Sequence, residues 1–431
     1  MRSWPLFVRR AGVLLVLLGA PTAAIAQVAG ASGPPLMRVS MDDAVRLTLE
    51  RNQTLRAQRL GIDESKADEI TAGLKPNPTF SSTVVNFPLF APGQLTWDYL
   101  KNNGNYAEAL SYLFERGGKR TNRLLVAGDT TGVTARTVAD AERTLGFQAR
   151  QAFITVLLSK STLALAEDDL MNFSSFVDIS RDRLNAGAIA EGDFIKIALQ
   201  KLQFEQDVSA AELSLVQAKA ALRQLMGFET VTEDFDVTGD LVYAKSSATL
   251  DDLKRDALAT RPDFLAAQGG VKLAEDTRAL AFSNRARDLT GSAQYGGGAA
   301  LNTVGFGVSI ELPFHDRNQG NIAHSQIAVR QASETESAVR ATVLTDVTNA
   351  YAGLQTNDKI VALYQSGYLD QAQQSLDITT YVYQQGAGSL LDVLDAERTY
   401  RATQLAYRQA LAAHMTSVQQ LNFVVGRQVM P

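Results

Sequence analysis

The chain has no cysteine, so disulfides, thiolate metal sites, cysteine nucleophiles and lipidated cysteines are all excluded. His315, His324 and His414 are its only histidines, and they make no metal-ligand spacing. After the first residues no run of about 18 apolar residues occurs, which excludes a later membrane helix. An excess of positive charge is also missing: the formal net charge is −5, which gives no support to nucleic-acid binding. Proline is absent between Pro92 and Pro262, and again between Pro313 and Pro431. Proline is strongly unfavourable inside a helix, so these gaps fit long helices. Signatures of catalysis are missing too. There is no G-x-S-x-G motif, and no nucleophile and base are paired by spacing. Gly117-Gly118-Lys119-Arg120 lacks the spacing and the Ser/Thr of a phosphate loop, and Gly305-x-Gly307 lies in a strand rather than before a helix. No catalytic, cofactor or metal site is expected, and the chain does not read as an enzyme.

What is present begins with a targeting signal. Arg2, Arg9 and Arg10 form a positive n-region, Ala11 to Ala20 an apolar core, and Ala24-Ile25-Ala26 an A-x-A cleavage site. Residues 1–26 read as a signal peptide and 27–39 as a Gly/Pro/Ser-containing leader. The core is short and Pro21 follows it, which argues against a retained anchor. The mature chain is expected outside the cytoplasm: soluble in the periplasm, secreted, or a β-barrel in an outer membrane. With 45% hydrophobic and 20% charged residues, it is not a disordered chain.

The body of the sequence is duplicated in its punctuation. Gly187-Ala188 matches Gly386-Ala387, Asp193 matches Asp392, and Gly227 matches Gly426, all at an offset of 199 residues. Earlier, Asp251-Asp252 matches Asp42-Asp43 and Phe264 matches Leu55 at an offset of 209, so one net length difference separates the two sets of anchors. Two repeats are expected, 40–240 and 241–431. Each reads as helix, strand hairpin (about 79–114 and 290–314), long helix, glycine turn (184–193 and 383–392) and helix. The long helices are placed at about Asn122 to Asn185 and Asn321 to Gln384, each roughly 95 Å long at 1.5 Å per residue. The helices after the turns are placed at about Asp193 to Met226 and Ser389 to Val425. Their single apolar stripe and frequent alanine favour close side-by-side packing in a coiled-coil-like assembly.

In the strand Gly305 to Leu312, Phe306, Val308, Ile310 and Leu312 point one way and Gly305, Gly307, Ser309 and Glu311 the other. The first-repeat strands read less cleanly, as Ser81 to Phe87 and Leu110 to Phe114 around a long Pro/Gly/Asn loop. This alternation has two readings, a soluble sheet with one wet face or membrane strands with apolar residues toward lipid. About four strands are too few to close a barrel, and open edges in lipid leave backbone groups unpaired. Membrane strands would therefore require several chains to share one barrel, and three chains would supply about twelve strands.

Several motifs resemble a known family. Tyr383-x-x-Gly386 followed by Leu391-Asp392-Val393-Leu394-Asp395-Ala396, and Arg183-Leu184-x-x-Gly187, are similar to its two periplasmic hairpins. Leu312-Pro313-Phe314-x-Asp316-Arg317-Asn318-Gln319-Gly320-Asn321 and Glu115-Arg116-Gly117-Gly118-Lys119-Arg120 are similar to its strand-to-helix junctions. The family is the TolC-like outer-membrane factors of Gram-negative efflux pumps and type I secretion systems, with a lean toward the cobalt-zinc-cadmium branch. Gln53 departs from the pattern, because the usual Asn-Pro pair has lost its proline there, while Arg261-Pro262 keeps it.

The resemblance implies a mainly α trimer with one shared 12-stranded barrel in the outer membrane and a helical barrel in the periplasm. It implies a passive conduit for metal ions or drugs, coupled to an inner-membrane pump through a periplasmic adaptor. Asp392 and Asp395 share one helix face. They are either helix-start acids, with Ser389-x-x-Asp392 resembling a capping box, or by resemblance a ring of carboxylates at the pore constriction. Arg183, Leu184, Gly187, Asp193, Tyr383, Gly386 and Ser389 lie at the hairpin tips, where an adaptor would dock. Phe306, Val308, Ile310 and Leu312 would face lipid. The alternatives are a type I protein-secretion channel, a non-pore periplasmic coiled-coil scaffold and, more remotely, a hydrolase.

Overall fold

A computed structural model describes residues 37–430, apart from 87–92, 94, 95, 230, 233, 246–248, 299 and 300. Residues 1–26, read as a signal peptide, and most of the segment read as a leader lie outside the described residues. The elements run in the order β1 (Met37–Val39), α1 (Met41–Arg51), α2 (Gln53–Gly73), β2 (Thr79–Val85), α3 (Trp97–Asn103), β3 (Asn105–Phe114), α4 (Lys119–Asn185) and α5 (Glu191–Met226). The chain continues as β4 (Phe235–Val237), α6 (Leu250–Thr260), α7 (Pro262–Ser283), β5 (Leu289–Gly298), β6 (Leu301–Ile310), α8 (Gln319–Leu363), α9 (Leu369–Gln384) and α10 (Leu390–Val425).

Helix α4 is the spine. Its 67 residues span about 100 Å at 1.5 Å per residue. It packs against α2, α7, α5 and α10. Helix α7 in turn meets α8, and α10 meets α8 and α9. The protomer is therefore a strip four helices wide, in the lateral order α2–α4–α7–α8 nearer the sheet and α5–α4–α10–α8/α9 nearer the turns. The four long strands form one antiparallel sheet in the order β2-β3-β5-β6, so β2 and β6 are its outer strands. This is the mainly helical fold with a small β portion that the sequence predicts.

The repeat is visible in the backbone. At Asn52 the chain turns out of α1 with φ −62°, ψ 120°, and at Arg261 out of α6 with φ −66°, ψ 121°. The break thus survives without its proline. Asn52 Oδ1 accepts the Leu55 N–H at 3.1 Å, satisfying one of the donors a helix start leaves open. In the second repeat Pro262 takes the first helical position instead, where it has no N–H to satisfy. Arg261 holds that corner. It reaches Asp263 Oδ1 at 3.0 Å, Asp346 Oδ2 at 3.0 Å and the Val424 carbonyl at 3.3 Å. Gly426, at φ +82°, passes so close that a Cβ there would stand 3.2 Å from the Arg261 backbone.

Two equivalent cores lie near these corners. Ala44, Leu47, Phe153, Leu222 and Met226 pack in the first repeat, and Leu253, Ala257, Val343, Leu421 and Val425 in the second. A third core, nearer the turns, joins both repeats through Phe173, Val177, Ile197, Phe204, Tyr383, Leu390 and Val393.

Four features differ from the sequence reading. Strand β3 starts at Asn105 rather than Leu110, and the loop before it contains the short helix α3. The second repeat is shortened here: two residues, 299 and 300, separate β5 from β6, whereas nineteen, 86–104, separate β2 from β3, and a longer β5 and a longer junction after β6 offset part of the difference. The second long helix is broken at Tyr364–Tyr368 by a π-turn in which Gly367 adopts φ +114°. Strands β1 and β4 pair in parallel, Met37 opposite Phe235, and bring together the segments that precede α1 and α6.

Candidate conduction and docking sites

The sheet has two chemically distinct faces. Cross-strand partners Phe80, Leu110, Ala293 and Phe306 share one face, as do Tyr112, Gly291 and Val308. Phe306 is 85% exposed, Val308 77% and Val304 67%, although all three are large and apolar. Ile310, Leu312, Phe80 and Leu110 are exposed as well. The ladder Thr79, Ser111, Ser292 and Gly307 lies on the opposite face, with Thr290 and Ser309, and is small and polar. An apolar surface of this extent, left uncovered, marks a membrane or partner contact.

The strand-to-helix junctions are pinned by polar contacts. Asp288 accepts the Arg116 N–H at 2.9 Å and pairs with Lys119 Nζ at 2.7 Å. Asn318 (φ +61°) donates from Nδ2 to the Ala281 carbonyl at 2.7 Å. Gly117 (φ +73°) lies against Ala286 and the Ser283 carbonyl, so any Cβ there would collide.

At the far end the two hairpin turns close in the same way. The Gly187 N–H donates to the Leu184 carbonyl and the Ala188 N–H to the Arg183 carbonyl; Gly386 and Ala387 repeat this with Tyr383 and Val382. Glycine occupies the left-handed position in both, at φ +71° and +75°, so each is a Schellman cap. Tyr383 is buried among Phe176 and its neighbours, with the Arg183 guanidinium 5.3 Å from its ring centre. Burial pushes its hydroxyl pKa up, Arg183 opposing and Asp193 adding to the rise. Asp193 pairs with Lys196 at 3.2 Å, an exposed contact of small energy.

Ser389 Oγ accepts the Asp392 N–H at 3.2 Å and starts α10. Asp392 and Asp395 are both exposed, on the side of α10 away from the buried Leu390 and Val393. Arg398 bonds Asp395 at 2.8 Å. The structure thus brings the two aspartates together on one open helix face beside the turns.

The sequence reading missed a charge cluster on the opposite face of α10. Arg401 bonds Asp169 of α4 at 3.2 Å and also Asp207 of α5. Glu397 lies beside Asp169. These pairings span 194 to 232 residues, so no local spacing reveals them. One signal was available: Glu397 and Arg401 fall in the register of Leu390, Val393 and Tyr400, the stripe that packs inward. Among the described residues no group of three or more His, Cys, Asp or Glu is placed to hold a metal ion.

Residues 253–427 match the outer membrane efflux protein family. The chain is 24% identical over 402 residues to the cobalt-zinc-cadmium resistance protein CzcC of Cupriavidus metallidurans, covering 92% of this chain and 91% of that one. It is 26% identical over 276 residues to the cation efflux system protein CusC of Escherichia coli K12, covering 59% and 57%. The CusC crystal structure superposes with a TM-score of 0.75 at 19% identity, covering 90% of this chain and 92% of that one. The outer membrane protein VceC of Vibrio cholerae superposes with a TM-score of 0.73 at 16% identity, covering 90% and 97%. The family match lies in the second half of the chain, and nine-tenths of the chain shares its architecture with the CusC and VceC structures.

Proposed function

We propose that the chain is the outer-membrane channel of a tripartite efflux pump, a passive conduit that joins a periplasmic adaptor and an inner-membrane pump. The observation that carries this reading is that the protomer is an incomplete strip. Its sheet ends in strands β2 and β6, whose outer edges have no partner among the described residues. Its helical layers end in uncovered apolar stripes. Ile195, Leu199, Leu202, Leu213 and Val216 recur on α5 at heptad spacing. On the other flank, Ile360, Leu363, Ile378 and Tyr381 of α8 and α9 are exposed too. Unlike flanks that must both be covered close into a ring by rotation. Three copies give twelve strands and an even-numbered barrel.

In this reading Phe306, Val308, Ile310 and Leu312 face lipid, and the Ser/Thr/Gly face lines the lumen. The turns carrying Arg183, Leu184, Gly187, Asp193, Tyr383, Gly386 and Ser389 are the adaptor contact. Asp392 and Asp395 supply a carboxylate ring that favours cations at the narrow end. Divalent metal ions are the exported class that the similarity to CzcC supports, and the chain acts without catalysis. A soluble scaffold accounts poorly for Phe306 and Val308 standing in water. The test is fractionation followed by reconstitution. Recovery in the outer membrane after salt and alkaline washing, with pores in a planar bilayer, is expected. Release by the washes, or a bilayer that stays sealed, rejects the reading.

A further inference from the structure

Helix α10 presents a different charge pattern on each side. Asp392, Asp395 and Arg398 stand on the exposed face, while Glu397 and Arg401 point into the seam between the two hairpins. Arg401 Nε lies 3.2 Å from Asp169 Oδ2 of α4, its Nη2 bonds Asp207 of α5, and its guanidinium sits 4.1 Å over the Phe204 ring of α5. One side chain of the second hairpin therefore holds both helices of the first. Asp169 is 6% exposed. Glu397, Asp169 and Tyr400 line a cavity of about 400 Å³, which Asp377 and Tyr381 of α9 also enter.

We propose that Glu397, Asp169, Asp207 and Arg401 form a proton-responsive tie that positions the start of α10, and with it Asp392 and Asp395, against the first hairpin. This inference rests on the channel reading. With Glu397 protonated, Arg401 is shared between two carboxylates, Asp169 and Asp207. Ionisation of Glu397 adds a third carboxylate beside Asp169, and Arg401, already shared between Asp169 and Asp207, is the cation that acts on it. Arg398 lines the same groove as Asp169, Asp207 and Arg401 but is engaged by Asp395, and Arg408, two turns on, bonds Ser161 and Gln404 while its charge partly offsets that of Asp169. Asp377 is held by Gln373 of its own helix, and Asp168 adds to the negative charge near Asp169. Tyr381 and Tyr400 bring only hydroxyls. Burial, with Asp169 adding to it, pushes the Glu397 carboxyl up to about 7, against the opposing charge of Arg401. The carboxylate therefore changes charge within about one unit of neutral pH. A falling pH closes the tie, and a rising pH loosens it by like-charge repulsion.

Arg401 and Glu397 are positioning residues, so the test reads a pH profile. Purified protein in planar bilayers is recorded from about pH 5.5 to 8.5 as wild type, Glu397→Gln and Asp392→Asn/Asp395→Asn. The wild-type open-to-closed ratio is expected to rise about tenfold between pH 6 and pH 8, which corresponds to one pKa unit of difference between the tied and loosened states. Glu397→Gln is expected to hold the low-pH ratio throughout, and the double aspartate variant to keep the step. A step that persists in Glu397→Gln, or is missing from wild type, overturns the tie.

A second readout does not need a pore. The chain has no cysteine, so spin labels can be placed cleanly at Met171→Cys on α4 and Thr399→Cys on α10, both exposed sites. Their separation in detergent should lengthen or broaden from pH 6 to pH 8, and Glu397→Gln should abolish that change. If no pore forms but the distances respond, the channel reading fails and the tie stands. Distances that do not respond to pH remove the tie whatever the conductance.

Discussion

Replacing Arg261 with alanine removes a guanidinium whose side chain is 4% exposed and which holds three partners at once. Asp263, Asp346 and the Val424 carbonyl all lose a donor. Breaking a buried ion pair by removing one partner typically costs about 3–5 kcal/mol, because the other charge stays behind uncompensated. Two observations put this site at the low end. The Asp346 side chain is 38% exposed, so water can solvate it, and Arg143 stands 3.9 Å from Asp263 as a partial substitute. The expected loss is about 3 kcal/mol.

Thermal unfolding of the assembled protein at fixed concentration measures it, with Arg261→Ala/Asp263→Asn/Asp346→Asn closing the cycle. The triple variant should recover much of the loss, since it removes the stranded charges. The pH dependence has a definite sign. Burial pushes the Asp263 carboxyl up, but hydrogen bonds and charge from Arg261 outweigh it and hold the group below its ordinary 3.8. That stabilisation is complete above about pH 4 and disappears as pH falls through the depressed value. The gap between wild type and Arg261→Ala should therefore narrow in acid. A gap under about 0.5 kcal/mol at neutral pH, or one that widens in acid, refutes the reasoning.

Two further outcomes follow from the faces of the sheet and of α10. Val308→Arg should impair membrane assembly, by about 2–4 kcal/mol if its face meets lipid near the bilayer midplane, while Ser309→Arg on the other face should assemble normally; equal behaviour of the pair contradicts the assignment, and outer-membrane yield reports it. Asp392→Asn/Asp395→Asn should reduce the cation preference of the pore in reversal-potential measurements. An unchanged reversal potential would leave both residues as helix-start acids.

Much of the fold was legible because its punctuation is local. The Schellman turns at Gly187 and Gly386 need a left-handed residue, which glycine supplies and sequence displays. The long helices announce themselves by the absence of proline. Strand β6 alternates because only one of its faces is apolar, so its period is plain. The first half of strand β3 is not legible, because Asn105 to Ala109 mixes small, charged and aromatic residues without alternation. The break at Gly367 was missed because a single glycine inside a helical pattern is usually tolerated, and nothing nearby in sequence marks a π-turn. The three-residue pair β1–β4 is too short to carry a period. The tie through Arg401 was hidden for another reason. A charged residue on a long helix reads as solvated until a partner some 200 positions away is placed beside it.

The claim beneath all of this is that one chain is only part of a closed wall, with strands β2 and β6 and the stripes of α5 and α9 waiting for neighbours. Its most direct test is the mass of the detergent-extracted, uncross-linked protein by light scattering or native mass spectrometry. The account predicts three copies per particle, and a stable, monodisperse single chain would contradict it.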